Sequence, residues 1–158
     1  MEKIGVIRVL HLFLYNWDVR SKWFDWCENL SFEQLTAERI GGVGSILQTL
    51  FHIVDVEHSW IRAMKGEKDL ILDYESMKSL TYIRQHSEAC QPEIYEFLQT
   101  WTDEQEEDLV DPRWLEGTYR KGEILRHVIA HEIHHMGQLS VWARELGREP
   151  VSANYINR

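Results

Sequence analysis

Four of the eight histidines of this 158-residue chain fall within nine residues, in the stretch His127-Val-Ile-Ala-His131-Glu-Ile-His134-His135. On an α-helix, residues four apart sit about 40° apart around the axis and about 6 Å apart along it. His127, His131 and His135 therefore line one stripe, and either adjacent pair can grip one metal ion without bending the backbone. Ile124, Val128, Leu139 and Trp142 share the face of His131 and His135, so the stripe points inward. Inward imidazoles need a facing helix and a partner for each ring nitrogen. Two readings follow: part of a metal site completed from a neighbouring helix, or a set of hydrogen-bonded core histidines.

Helical periodicity dominates the rest of the chain. A first helix is predicted over about residues 4–29, with Val6, Leu10, Phe13, Leu14, Trp17 and Phe24 recurring at spacings of three and four. Ser31-Phe-Glu-Gln34 reads as the capping box of a short turn, and Ser45-Ile-Leu-Gln48 as a second such box after the glycine-rich loop Gly41–Gly44. The helix that this box opens runs to about Lys65, before Gly66, and carries His52 beside its apolar face. A third helix starts near Ser76, with a break or kink expected near Cys90 and Gln91 because Pro92 falls inside its pattern. Thr102–Gln105 caps a further short turn, Asp111-Pro112 and Gly117 mark a loop, and a fourth helix runs from Thr118 to about Leu146, stopped by Gly147. No segment has a strong strand pattern. Four long helices with modest connections predict an all-α four-helix bundle, in a single domain over residues 1–158.

Charge and composition narrow the partners. A net charge of −9 argues against nucleic acid, whose binding relies on lysine and arginine to displace counterions. No apolar run approaches the roughly 18 residues of a membrane span, and charge interrupts the N-terminus where a signal peptide needs an apolar core. The expectation is a soluble cytoplasmic protein. Cys27 and Cys90 make neither a disulfide framework nor a CxxC motif.

Around His52 the angular neighbours Ser45, Gln48, Val56 and Ser59 are small or polar, which suggests a cavity wall. Gln48 and Ser59 suit pocket lining and ordinary packing equally. Asp55 reads first as a solvated position and second as support for a ligand. Trp17, Trp60 and Trp142 read as core before pocket wall. His58 and His86 read as solvent-facing, and His11 as a core histidine near the apolar face of the first helix. His131-Glu132-Ile133-His134-His135 satisfies the His-Glu-x-x-His string of zinc proteases. Glu132 nevertheless lies about 100° off the ligand face, so it reads as a flanking residue before a general base.

Several segments together resemble the DinB/YfiT-like superfamily, almost end to end. Leu14-Tyr-Asn-Trp17 resembles its early aromatic motif. Ser45-Ile-Leu-Gln-Thr-Leu-Phe-His52-Ile-Val-Asp55 resembles the motif that supplies a first metal histidine. His127 to Leu139 resembles the signature of its last helix, and Gly147-Arg-Glu-Pro150 with Tyr155-Ile156 its tail. The resemblance implies a four-helix bundle with a divalent metal on His52, His131 and His135, with His127 beside the site and His134 at its edge. Met136 departs from the arginine often found before Gly-Gln in that superfamily. Zinc suits the imidazole ligands best, although nickel, copper and iron also accept them, and nickel can be acquired in purification. Such an ion keeps an open position for water or substrate. It could activate water for hydrolysis or bind a thiol, which loses its proton on coordination. Relatives that transfer low-molecular-weight thiols such as bacillithiol or mycothiol favour the second chemistry, with a small-molecule substrate and a homodimer. The alternatives are a non-catalytic, stress-responsive binding protein and a metal-dependent hydrolase.

Overall fold

The computed structural model describes residues 3–158, with side chains from Val9 onward, so Val6 lies outside the described side chains. Four long helices make the bundle: α1 (Lys3–Cys27), α3 (Ile46–Met64), α4 (Leu80–Gln99) and α5 (Lys121–Glu145). The short helix α2 (Phe32–Thr36) and a 3₁₀ turn (Asp103–Gln105) occupy the connections. The chain adds one small hairpin, in which β1 (Leu109–Val110) pairs antiparallel with β2 (Tyr119–Arg120). The last long helix consequently begins at Lys121 rather than Thr118, since Tyr119 and Arg120 are used in the hairpin. The helix expected from Ser76 begins after its cap Ser79, whose hydroxyl accepts from the Tyr82 N–H.

Capping chemistry was readable at most helix ends. Ser31 and Gln34 exchange both bonds of a capping box. Ser45 accepts from the Gln48 N–H, which is half of the box expected there. The Gln105 side chain accepts from the Thr102 N–H. Gly147, at φ 69°, takes the left-handed conformation that ends α5. Of the break or kink expected near Cys90 and Gln91, the break does not occur. α4 runs unbroken from Leu80 to Gln99 with Pro92 inside it, and Pro92 itself is exposed, so its ring faces solvent rather than a packed neighbour. Gly137 lies within α5, and a Cβ there would meet nothing within 4 Å. Gly137→Ala should therefore raise stability by about 0.5–1 kcal/mol through backbone entropy; an unchanged or lowered denaturant midpoint would contradict this.

Two apolar clusters fill the interior. One joins Trp23, Phe24, Leu47, Leu50 and Ile53 to Leu139 and Trp142. The other joins Phe13, Trp17, Ile61 and Ile94 to Ile124 and Val128. His11, expected in the core, is exposed, and so is Leu14.

One buried polar network ties all four long helices together. Arg20 of α1, 1% exposed, spends each guanidinium nitrogen on a partner. Nε donates to Glu132 Oε1 at 2.8 Å, Nη1 to Glu57 Oε1 at 3.0 Å and to Ser87 Oγ at 3.1 Å. Nη2 donates to Glu57 Oε2 at 2.8 Å and to Glu132 Oε2 at 2.6 Å. Trp17 Nε1 adds a donor to both Glu57 oxygens, at 3.2 and 3.1 Å. Glu57 lies on α3, Ser87 on α4 and Glu132 on α5. Both acids hold their helices against rotation, Glu57 five residues after His52 and Glu132 immediately after His131.

Candidate metal centre

His52 on α3 and His131 and His135 on α5 come together on the facing sides of their helices. His131 Nε2 stands 3.0 Å from His52 Nε2 and 3.1 Å from His135 Nε2. His135 is buried and the other two are half-buried. Burial lowers all three imidazoles below the ordinary range. The effect is largest at His131, which burial and then the neighbouring rings His135, His52, His127 and His134 bring down to about 3. At neutral pH the rings are uncharged, the state in which histidine binds metals.

The tautomers can be argued from the surroundings. His135 Nδ1 lies 2.7 Å from Gln138 Oε1. The amide oxygen can only accept, so Nδ1 carries the proton and Nε2 carries the lone pair. Three Nε2 atoms then share one small space. If His131 Nε2 carries a proton, it serves one of its two short contacts and leaves the other poorly directed; if it does not, its lone pair faces that of His135 Nε2. A cation between them removes that repulsion. The 3.0–3.1 Å separations fall between the ~2.9 Å of right-angled and the ~3.3 Å of tetrahedral nitrogens on an ion with metal–nitrogen bonds of about 2.0–2.1 Å. The residues therefore fit a divalent ion.

Gln138 was not singled out by spacing, yet it fixes the orientation of His135. Its own amide nitrogen lies 3.3 Å from His134 Nε2. Behind it passes the glycine loop: at Gly42, φ 54°, a Cβ would stand 2.5 Å from Gln138 Oε1, so a side chain there would displace the amide. Gln138→Leu leaves the His135 Nδ1–H without its acceptor. Metal affinity should fall about 10–100-fold with the fold intact, as read by competition with a chromophoric chelator; unchanged affinity would contradict this role.

The residues expected around the triad are distributed more widely. His127 is exposed, with its ring centroid 5.6 Å from that of His131 and 6.1 Å from Trp60. Trp60 in turn meets Trp114 at 5.3 Å. That aromatic run leads to a cleft of about 670 Å³ whose walls include Asp69, Asp111, Arg113 and Trp114. Ser59 donates to Asp69 at 2.7 Å. Asp55 is half-buried rather than solvated, and burial, then Asp69, push its carboxyl up to about 6. Gln48 instead lines a separate hollow with Thr36, Val43 and Tyr74. Trp17, Trp60 and Trp142 are all buried.

Glu132 flanks the ligand face, as its angle predicts, and is not a free base. It is 1% exposed, and both its oxygens accept from Arg20. Burial, reinforced by Glu57, holds its carboxyl above the usual range against the pull of Arg20. His58 is also not solvent-facing but buried, and His86 is half-buried, close to Cys90.

The profile of the DinB family matches residues 2–158. The chain belongs to the DinB family. A relative from Bacillus subtilis (strain 168), described as the uncharacterized protein YizA, is 49% identical over 151 residues, 95% of each chain. Among solved structures, a DinB-like protein from Bacillus cereus ATCC 10987 superposes with a TM-score of 0.69 at 22% identity, covering 98% of each chain; at that identity the likeness speaks for the fold. Position 136, where this DinB chain has methionine, is buried in the core. Its side chain therefore packs and does not take an ionic role. Among the described residues no helix is long and apolar enough to cross a membrane.

Proposed function

We propose that this DinB-family chain holds one divalent ion, of the zinc class, on His52, His131 and His135, and that it transfers a low-molecular-weight thiol to an electrophilic small molecule. The observation that carries the reading is the convergence of three neutral imidazoles on His131 Nε2, with contacts of 3.0 and 3.1 Å. Such an ion supplies Lewis acidity at an open position, enough to deprotonate a thiol at neutral pH.

The protein's own residues do the rest. Gln138 fixes His135, and the Arg20 network fixes the rotation of α3 and α5 that brings their histidines together. Trp60, His127 and Trp114 form an aromatic run from the triad toward the cleft. Asp55, one turn after His52 and held up to about 6, is suited to hold or release a proton near neutral pH. The zinc-protease reading loses its base, because Glu132 is locked against Arg20.

Untagged, zinc-loaded protein should consume several cellular thiols in turn in the presence of a generic electrophile, and a chelator should abolish the reaction. Metal binding without metal-dependent conjugation of any thiol would overturn the transferase and leave a binding protein.

A further inference from the structure

We propose that His58, His86 and Cys90 form a second divalent-metal site, of the zinc class, that ties α3 to α4. One ligand nitrogen from each histidine and Cys90 Sγ lie within 4.8 Å of one another. The arrangement repeats the plan of the first triad. His131 and His135 stand four apart on α5 opposite His52 of α3; His86 and Cys90 stand four apart on α4 opposite His58 of α3. Six residues separate His52 from His58, which places them about 120° apart around α3. One therefore faces α5 and the other faces α4.

Cys90 Sγ is 3.7 Å from His86 Nε2 and 3.8 Å from Nδ1, so it faces the ring between the two nitrogens, and holding an ion requires the half-exposed His86 ring to turn one lone pair toward it. Sulfur and nitrogen on neighbouring corners of a tetrahedral ion are about 3.6 Å apart, given metal–sulfur bonds of about 2.3 Å and metal–nitrogen bonds of about 2.0–2.1 Å. The His58 and His86 ring centroids are 5.5 Å apart and nearly perpendicular, at 79°. Glu93 Oε2 stands 3.7 Å from His58 Nε2, and its other oxygen is held by Lys65 at 2.7 Å. The fourth position falls to this carboxylate or to water. His86 and Glu93 are the half-exposed members of the group, so an ion reaches it past them.

A free nucleophile is the weaker reading of Cys90. Burial, with Glu57 and Glu93 nearby, pushes the thiol up to about 12, which leaves it protonated and unreactive at neutral pH. Coordination forms the sulfur–metal bond as the S–H bond breaks, and the proton leaves to solvent. Nothing is oxidised or reduced.

Cobalt(II) titration of the full-length, chelator-treated protein separates the two sites, because only sulfur ligation gives a thiolate-to-metal charge-transfer band. The band should appear in the wild-type protein, saturate by two ions per chain and vanish in Cys90→Ser. If Cys90→Ser loses its helical circular dichroism, His86→Ala carries the test. It keeps the thiol, changes a half-exposed ring, and should weaken the cobalt affinity read from the band at least tenfold. No band in the wild type, a full band in folded Cys90→Ser, or a wild-type titration in His86→Ala would overturn the second site.

Discussion

Replacing Arg20 by methionine should cost the bundle about 3–5 kcal/mol, because it leaves two buried carboxylates without their cation. For a chain of this size that is a fall of about 6–20 °C in Tm. The penalty should depend on pH. In the native protein burial and Glu57 already hold the Glu132 carboxyl above the usual range, with Arg20 pulling it down. Without Arg20 it moves further up. A carboxyl whose folded pKa exceeds its unfolded value subtracts stability above the unfolded value and restores it as pH falls through the folded one. The deficit of Arg20→Met should therefore be largest at neutral pH and shrink on mild acidification. Urea unfolding at about pH 7 and about pH 5.5 checks both statements. A loss under about 1 kcal/mol, or a deficit that grows in acid, would contradict them. Replacing Arg20, Glu57 and Glu132 together by apolar residues of similar volume should recover much of the loss.

His131→Ala should have the largest effect on metal binding, since its Nε2 touches both other candidate ligands. Structural zinc sites bind with about 10–16 kcal/mol over four ligands, or roughly 2.5–4 kcal/mol per ligand. Losing one ligand should weaken binding about 10²–10³-fold. The metal-free protein gives an independent readout. The native fold keeps His131 neutral down to about 3, whereas the unfolded chain protonates it near its ordinary value of 6.5. A depressed folded pKa means stability is lost as pH falls through that window. Between about pH 6.5 and pH 4, chelated His131→Ala should therefore lose less stability than the chelated wild type. Equal losses would mean that the native fold leaves His131 free to protonate.

The helices and two of the triad histidines, His131 and His135, were legible because each has a periodic or local signature. The i, i+4 spacing of His131 and His135 and the inward face around them survive in the structure. The serine and threonine caps and the Gly147 stop are local signals of the same kind. His52 required a partner seventy-nine residues away, and its assignment came from a resemblance rather than from spacing. Long-range polar pairing was not legible. Arg20 falls in the same three-and-four series as Phe13, Trp17 and Phe24, and a charged residue in such a series was the signal that could have been followed. Glu132 looked peripheral because its angle was judged against the histidine stripe alone, whereas it points to α1. His58 and His86 looked solvent-facing because each is polar in its own helix; their rings meet between α3 and α4 beside Cys90. The hairpin at Tyr119–Arg120 is two residues long on each side, too short for alternation to show.

Metal content of untagged protein, compared with that of His52→Ala prepared identically, tests the three-histidine centre most directly. Elemental analysis after saturation with zinc and removal of the free ion should show the variant holding one ion per chain fewer than the wild type. Cys90 and its neighbours remain intact in both proteins, so any ion there cancels in the comparison. Equal metal content in the two proteins would contradict a site built from His52, His131 and His135.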